Sequence, residues 1–563
     1  MKLNNDQIRF LKNKFYLRED ETIDERIQSI LNQVEPYAVK YKEPGLTKRL
    51  HTWLHEKYIS LSTPQLANVG RPVKETDKSI PLPCSCNIIP VPNSIDGIYK
   101  SMYETAMLSK LGAGVGANMI NVVDGGTKID EGFHTNSKLD WAEDIIRTSK
   151  KVSQNAVRRG YAVVFDSIYT KEFDTYIERL DKTNPDKKDP FVKNNFGFIL
   201  PIGFWENLKT DEELQRRFLE ILELRRSTGK IYLLDVENCN KNQSPVYKTL
   251  NKTVDSTNIC TEALSCSEDD LIFACMLLSF NLKHWDVIKE NPQIIKDGFI
   301  LSDIFVEMYI DQTENVVAIK RARDSAIQKR DIGLGTLGLH DYFQAKGWAF
   351  GDMYSRKANK EIYKLIREVG EQTTKELAEK LGSPKMCQDA GLTRRNVSLM
   401  MVAPNKSTAY FMDTSEGCQP RISNYYVDEL AGVETTFKNK HLTELLEKRG
   451  KNSPEVWESI LVNLGSVQHL DFLSDQEKRV FKTASEISPK DIIDLAADRQ
   501  VYIDMSQSLN LFQRPNYTLQ DTYDIHKYAF SKGIKTLYYY YPQAHAALEK
   551  EGESWDSCEA CAD

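Results

Sequence analysis

Nowhere in these 563 residues is there an apolar run of about 18 residues, so no membrane-spanning helix is expected. The opening MKLNNDQIRFLKNKFYLRED is charged and amphipathic and lacks the apolar h-region of a secretory signal. An excess of basic charge is also missing. The 74 Lys and Arg face 81 Asp and Glu, a net charge of -7, which leaves no footprint for non-specific nucleic-acid binding and confines any nucleotide contact to a local pocket. No internal repeat or long low-complexity segment appears. GAGVGA near Gly112 is not a G-x-G-x-x-G fingerprint and follows a helical pattern, which argues against a dinucleotide-binding fold. The chain ends in SWDSCEACAD, yet no second C-x-x-C or Cys/His pair stands at zinc spacing, so no metal site is expected.

The residues that are present describe a globular protein, 41% hydrophobic and 28% charged, long enough for several domains or one large α/β domain. Ten cysteines in a chain with no visible leader point to working thiols in a reducing compartment, hence the cytoplasm. Helix-period and strand-like segments alternate. In DEELQRRFLEILELRRSTGKIYLLDV, Leu214, Phe218, Ile221 and Leu222 share one helical face, Gly229 stops the helix, and IYLLDV reads as a buried strand. FVKNNFGFILPI and LMMVAPNKSTAYF repeat the apolar-strand theme, so the pattern predicts an α/β fold with largely parallel strands. Residues 1–60 read as a polar helical region, 61–541 as the main domain, and 542–563 as a small, polar, acidic tail carrying Cys558 and Cys561.

The densest chemistry lies in DSTNICTEALS. If this piece is extended, Asn258, Cys260 and Glu262 project from one face, presenting an amide, a sulfur and a carboxylate on one rail. The same string also reads as a plain strand with a passive cysteine. LPCSCNIIP sets Cys84 and Cys86 on a strand-like segment, and FACMLLSFNL does the same for Cys275. Cysteines in apolar strands are usually inert packing. Beside a terminal C-x-x-C, however, they make up the parts of a thiol relay: a reactive cysteine, a reducing pair, and a travelling pair that exchanges with it.

In collinear order, STPQLANVGRP, PCSCNIIPVPNSIDGI, LSKLGAGVGANMINV, STGKIYLLDVENCN, TNICTEALS, CMLLSFNL, APNKSTAYFMDTSEGCQP, DRQVYIDMSQSLNL and KTLYY resemble the large, catalytic subunit of an aerobic (class I) ribonucleotide reductase. That resemblance implies a ten-stranded α/β barrel of two five-stranded halves with a central finger loop. It implies that Cys260 is a transient thiyl radical, Glu262 the carboxylate that takes the substrate's 3′-hydroxyl proton, and Asn258 the amide that orients the sugar. Cys86 and Cys275 would be the dithiol that becomes a disulfide, and Cys558 and Cys561 the pair that re-reduces it. Cys84 shares a strand face with Cys86, so register leaves both open as the redox partner, with Cys86 favoured by the family's Ser-Cys pattern. APNKSTAYF resembles the substrate-phosphate loop with Lys406, Ser407 and Thr408, while Thr63, Ser85 and Gly114 correspond to further substrate-contacting positions. Tyr538 and Tyr539 match a relay that brings the radical from a separate metal-containing small subunit. No cofactor is expected to reside in this chain. The implied partners are a ribonucleotide (a diphosphate by the family's habit), the small subunit, thioredoxin or glutaredoxin, and a second copy in a homodimer, with no membrane or nucleic acid.

Three features depart from many relatives. Only 85 residues precede Cys86, so an ATP-binding cone of the kind many relatives carry is not expected. Asn93 stands where an acidic residue usually contacts the effector sugar, and Val123 and Asp130 replace expected basic residues, so effector control is expected to be weak, altered or absent. An adenosylcobalamin-dependent (class II) reductase, a thiol oxidoreductase using the tail, and a silent scaffold are the rival readings.

Overall fold

The computed structural model describes residues 1–71, 82–154, 158–430 and 433–542. Three helices, Asn5–Asn13, Ile23–Lys40 and Leu46–His55, open the chain. The first two begin with reciprocal caps, Asn4 with Gln7 and Thr22 with Glu25, which satisfy N–H groups that a helix start leaves over. The first barrel strand is Ile59–Leu61, so it straddles the boundary expected at residue 60.

Five strands, Cys86–Pro90, Gly114–Asn118, Ala162–Ser167, Phe196–Leu200 and Tyr232–Asp235, pair in parallel in that order. They are buried along nearly their whole length, as strands covered on both faces must be. The helix between the last two, Glu212–Thr228, buries the stripe read from sequence and ends at Gly229 with φ 72°, the left-handed turn its position required. The second half contains Ile59–Leu61, Leu277–Asn281 and Gly333–Leu337. Bridges from Leu334 to Met400 and from Val402 to Gln507 add the runs 399–402 and 506–509. Ten strand paths in two fives result, the barrel expected from the family resemblance.

Two runs close it. Phe273–Ala274 pairs antiparallel with Cys86–Pro90 in the first half and continues straight into Leu277–Asn281 of the second. Thr536–Leu537 pairs with Tyr232–Asp235, after which Tyr538 N–H donates to the Leu509 carbonyl at 2.9 Å. Each seam carries residues singled out in the sequence, Cys275 in one and Tyr538 and Tyr539 in the other. Lys535 pins the second seam: its buried ammonium donates to the carbonyls of Asn242, Asp504 and Met505 at 2.6–2.8 Å. With no carboxylate among these partners, burial lowers its pKa to about 8.

Unforeseen in the sequence is an appended unit. The hairpin Tyr425–Leu430 with Val433–Lys438 and the helices Lys440–Lys448, Pro454–Val462 and Asp475–Val480 surround a separate apolar cluster that includes Leu442, Leu446, Trp457 and Ile460.

The glycines of GAGVGAN make room for a hairpin inside the barrel. A Cβ on Gly114 would lie 2.3 Å from Ile259 Cδ1, and one on Gly116 would lie 2.3 Å from the Thr257 carbonyl oxygen and 2.8 Å from Asn258 Cα. The second clash is with backbone, which cannot swing aside. Gly116→Ala is therefore expected to displace the hairpin, lowering stability by about 1–3 kcal/mol as overpacking does, and to shift its tip. Thermal denaturation checks it, and an unchanged Tm would contradict the close fit.

Candidate active site

DSTNICTEALS enters the barrel as this antiparallel hairpin, with Val254–Thr257 paired to Leu264–Cys266. The extended rail expected at its centre is not what forms. Residues 258–263 must reverse the chain, and Thr261 takes φ 65° to do so. Asn258 and Glu262 converge by hydrogen bonding instead of strand alternation: Asn258 Nδ2 donates to Glu262 Oε1 at 2.8 Å, while Asn258 Oδ1 accepts from Ala263 N–H at 3.0 Å. From outside the hairpin, Ser508 Oγ lies 2.5 Å from the Cys260 carbonyl oxygen and 3.2 Å from Glu262 Oε2. Thr536 Oγ1 donates to the Thr261 carbonyl at 2.9 Å, and Ser506 N–H to that of Glu262 at 2.8 Å.

Burial sets the protonation of the site. It raises the Glu262 pKa to about 7, against the opposing hydrogen bonds of Asn258 and Ser508. The Cys260 thiol is pushed up by burial first, then by Cys86 and Glu262, with Tyr538 acting the other way. Cys275 is pushed up by burial, Cys86 and Glu262. Cys260 and Cys275 are therefore S–H groups at neutral pH, and Glu262 is poised to gain or lose a proton there.

Cys86, Cys260 and Cys275 sit in one apolar cluster with Tyr232, Tyr538 and Tyr539. Cys275 directly follows the antiparallel pairing of Phe273–Ala274, its N–H donating to the Cys86 carbonyl at 2.9 Å and its carbonyl accepting from Ser85 N–H at 3.2 Å, so Cys86 and Cys275 are neighbours across this seam. Cys84 lies close by but packs in a different apolar cluster. The regular strand starts only at Cys86, so the shared face expected for the two does not exist. Cys84 packs in the outer core, with Sγ 3.5 Å from the Cys86 carbonyl and 3.8 Å from Asn87 Oδ1.

Tyr538 and Tyr539 touch edge to face, with ring centroids 4.3 Å apart. Tyr232 braces both, at 4.6 Å and 5.4 Å, and Asn195 Nδ2 donates to Tyr539 Oη at 3.1 Å. Sequence reasoning assigned nothing to Ser508, Tyr232 or Asn195. Only the fold reveals that they point inward.

Of the other expected positions, Gly114 lies on a barrel strand, Ser85 just before one, and the rest at helix starts. Gly114 pairs with Cys86, and Ser85 is buried with a hydroxyl that has no hydrogen-bond partner among the described residues. Thr63 opens the helix Thr63–Asn68 and is buried. Lys406, Ser407 and Thr408 start the helix Lys406–Met412, whose preceding Asn405 makes no side-chain cap and donates instead to Ser279 Oγ at 3.0 Å. Cys558 and Cys561 lie outside the described residues. Away from this interior, an open cavity of about 920 Å³ lies between the helices Glu212–Thr228 and Leu519–Ser531, lined in part by Trp205, Tyr523, Lys527 and Phe530, and contains none of the expected site residues.

A hairpin carrying a cysteine and a carboxylate into the centre of a ten-stranded barrel, beside two further cysteines, is the arrangement that the family resemblance implies. Residues 84–218, 215–392 and 385–540 match the family described as the ribonucleotide reductase barrel domain, and the chain belongs to the ribonucleotide reductase family. Its structure is similar to that of the Actinobacillus ureae class Id ribonucleotide reductase alpha subunit, with a TM-score of 0.85 and 31% identity over 96% of this chain and 97% of that one. It is 35% identical to the ribonucleoside-diphosphate reductase large subunit of Invertebrate iridescent virus 3 over 61% of this chain and 54% of that protein. It is also 27% identical to the putative large subunit of Frog virus 3 over 93% and 94%. The chain thus spans about half the length of the first viral relative and nearly all of the second.

The displaced carboxyl pKa has a measurable consequence. Below about pH 4.5 Glu262 is protonated whether folded or unfolded; between 4.5 and 7 only the unfolded chain ionises freely, so folding loses stability there and the loss is complete above 7. Glu262→Gln removes that loss. Relative to the parent, this variant is expected to be stabilised more at pH 8 than at pH 5, by on the order of 3 kcal/mol, in urea titrations at the two pH values. Equal offsets would mean that the carboxyl is not desolvated.

Proposed function

We propose that this chain is the catalytic subunit of a class I ribonucleotide reductase acting on ribonucleoside diphosphates in the cytoplasm. The single observation that carries the reading is the meeting of Cys260, Glu262 and the Cys86–Cys275 pair inside the barrel. Cys260, oxidised to a thiyl radical, takes the 3′ hydrogen atom of the ribose. Glu262 as carboxylate accepts the 3′-hydroxyl proton, which drives out the 2′-hydroxyl as water once it has gained a proton. Cys86 and Cys275 give up two electrons and two protons and become a disulfide, and Cys260 returns its hydrogen to C3′. Asn258 holds the sugar while its other contacts keep the turn in shape. Lys406, Ser407 and Thr408, with Thr63, Ser85 and Gly114, hold the phosphate and sugar.

A disulfide buried in the barrel is re-reduced only when a thiolate from outside reaches and attacks it. Cys558 and Cys561 fill that role, recharged by thioredoxin or glutaredoxin. The radical arrives from a separate metal-containing subunit through Tyr539 and Tyr538, and the contact of these rings with the Cys260 cluster favours this route over one that starts from a cobalamin in the site. The open cavity beside Leu519–Ser531 suits the docking of that subunit, because this helix leads directly into the tyrosine seam. A homodimer is supported by Tyr99 and Tyr103, 57% and 55% exposed one turn apart on the helix Ile95–Lys110.

Reduction of a ribonucleoside diphosphate in the presence of the small subunit, with Cys260→Ser as control, tests the proposal. Turnover is expected only with the small subunit and only with Cys260 intact; turnover supported by adenosylcobalamin alone would replace class I with class II. Effector control is expected to be weak. Asn93 Oδ1 is engaged by Val123 N–H at 3.1 Å and Asp130 Oδ2 by Ile95 N–H at 2.8 Å, so both side chains hold local backbone and supply no cationic fork to a triphosphate. Substrate preference measured across nucleoside triphosphate titrations should change less than about tenfold, and strong switching would contradict this.

A further inference from the structure

The tyrosine run holds more rings than the proposed relay uses, and the structure separates them. Tyr540 turns outward: its ring meets His526 at 5.2 Å and packs in the outer core. Tyr541 turns back inward. Its centroid is 5.1 Å from that of Tyr539 at an interplanar angle of 31°, and Phe512 stacks on it at 5.8 Å and 23°. The strand Tyr540–Pro542 pairs in parallel with Leu511–Gln513, with Phe512 directly opposite Tyr541, so backbone register fixes that stacking. Tyr539 and Tyr541, two residues apart, share one face. The result is a continuous row, Cys260 to Tyr538 to Tyr539 to Tyr541, with neighbouring rings in contact.

Exposure changes along the row. Cys260, Tyr538 and Tyr539 are 3%, 2% and 6% exposed, whereas Tyr541 is only half-buried. Oxidising a phenol at moderate potential requires its proton to leave together with its electron. Inside the barrel a proton can pass only between neighbouring groups, but at a half-exposed ring it can go to water. Tyr232 offers no such exit: it contacts Tyr538 and Tyr539 but is wholly enclosed, which makes it a brace and not a route.

We propose that Tyr541 is a third redox tyrosine of this chain, the residue at which oxidation arrives from outside. The inference rests on the relay reading given above. The radical held by the partner subunit, as one-electron oxidant, takes an electron from Tyr541, whose proton passes to solvent or to a base of the partner. An electron and a proton then move from Tyr539 to Tyr541, from Tyr538 to Tyr539, and from the Cys260 S–H to Tyr538. All three phenols are restored and one thiyl radical remains. The reverse sequence returns the oxidising equivalent after turnover.

The test uses the full chain with its small subunit. Tyr541→Phe keeps the ring and removes the proton-bearing oxygen. Turnover is expected to fall more than tenfold while the nucleotide KM and the affinity for the small subunit stay unchanged. Full turnover would overturn the proposal, and so would a loss that tracks weakened subunit affinity, since Tyr541 would then be a docking residue. In a second arm 3-aminotyrosine, which is oxidised more easily than tyrosine, is placed at 541 or at 539. An aminotyrosyl radical detected by electron paramagnetic resonance at both positions, on mixing with small subunit and substrate, is the expected result. A signal at 539 without one at 541 overturns the role of Tyr541 alone. No signal at either overturns the relay itself.

Discussion

The carbonyl oxygens of Cys260, Thr261 and Glu262 are met in turn by Ser508 Oγ, Thr536 Oγ1 and Ser506 N–H. A six-residue turn in the middle of a barrel cannot use water to satisfy its backbone, and an unpaired buried carbonyl costs about 1–3 kcal/mol. These three contacts come from the two chain runs beside the tyrosine seam, so the seam that closes the barrel also holds the hairpin tip in place. Where the sulfur and the carboxyl point follows from this anchoring. Asn258 and Ser508 then complete the arrangement by fixing Glu262 from opposite sides.

This economy links fold to chemistry in several places. The small residues of GAGVGAN are needed because the hairpin backbone lies against that strand, and the same strand aligns Gly114 with Cys86. The run 273–281 belongs to both half-barrels, so the cysteine at its crossing point faces Cys86 at the edge of the hairpin. The other crossing places aromatic rings in contact with the cluster around Cys260 and is itself fixed by a lysine held by carbonyl oxygens. Excluding water keeps Cys260 and Cys275 protonated and lifts the Glu262 pKa to about 7, the range in which one group can both accept and donate a proton.

Much of this was legible in the residues, for reasons that differ from element to element. Glu212–Thr228 was readable because its periodicity and its Gly229 stop act locally. The parallel strands were readable because burial on both faces demands continuous apolar runs. Asn258, Cys260 and Glu262 are expected on one extended rail, whereas a turn with Thr261 at positive φ brings amide and carboxyl together through a hydrogen bond. Cys84 and Cys86 could not be told apart because the difference lies in where the strand begins, a tertiary fact. Ser508 and Asn195 lie far from the hairpin along the chain, so nothing local marks them. The appended unit at 425–480 has ordinary amphipathic helices, and only contacts reveal that they enclose a core of their own.

The central claim is that Cys260 initiates chemistry whose electrons come from Cys86 and Cys275. It is tested most directly by giving the fully reduced subunit, with its radical-supplying partner and no external reductant, a single round of substrate and mapping the disulfides by mass spectrometry. The account predicts a Cys86–Cys275 disulfide formed in step with deoxyribonucleotide, and neither product when Cys260 is replaced by serine. Deoxyribonucleotide made without Cys260, or made while Cys86 and Cys275 remain free thiols and no tail disulfide appears, would contradict it.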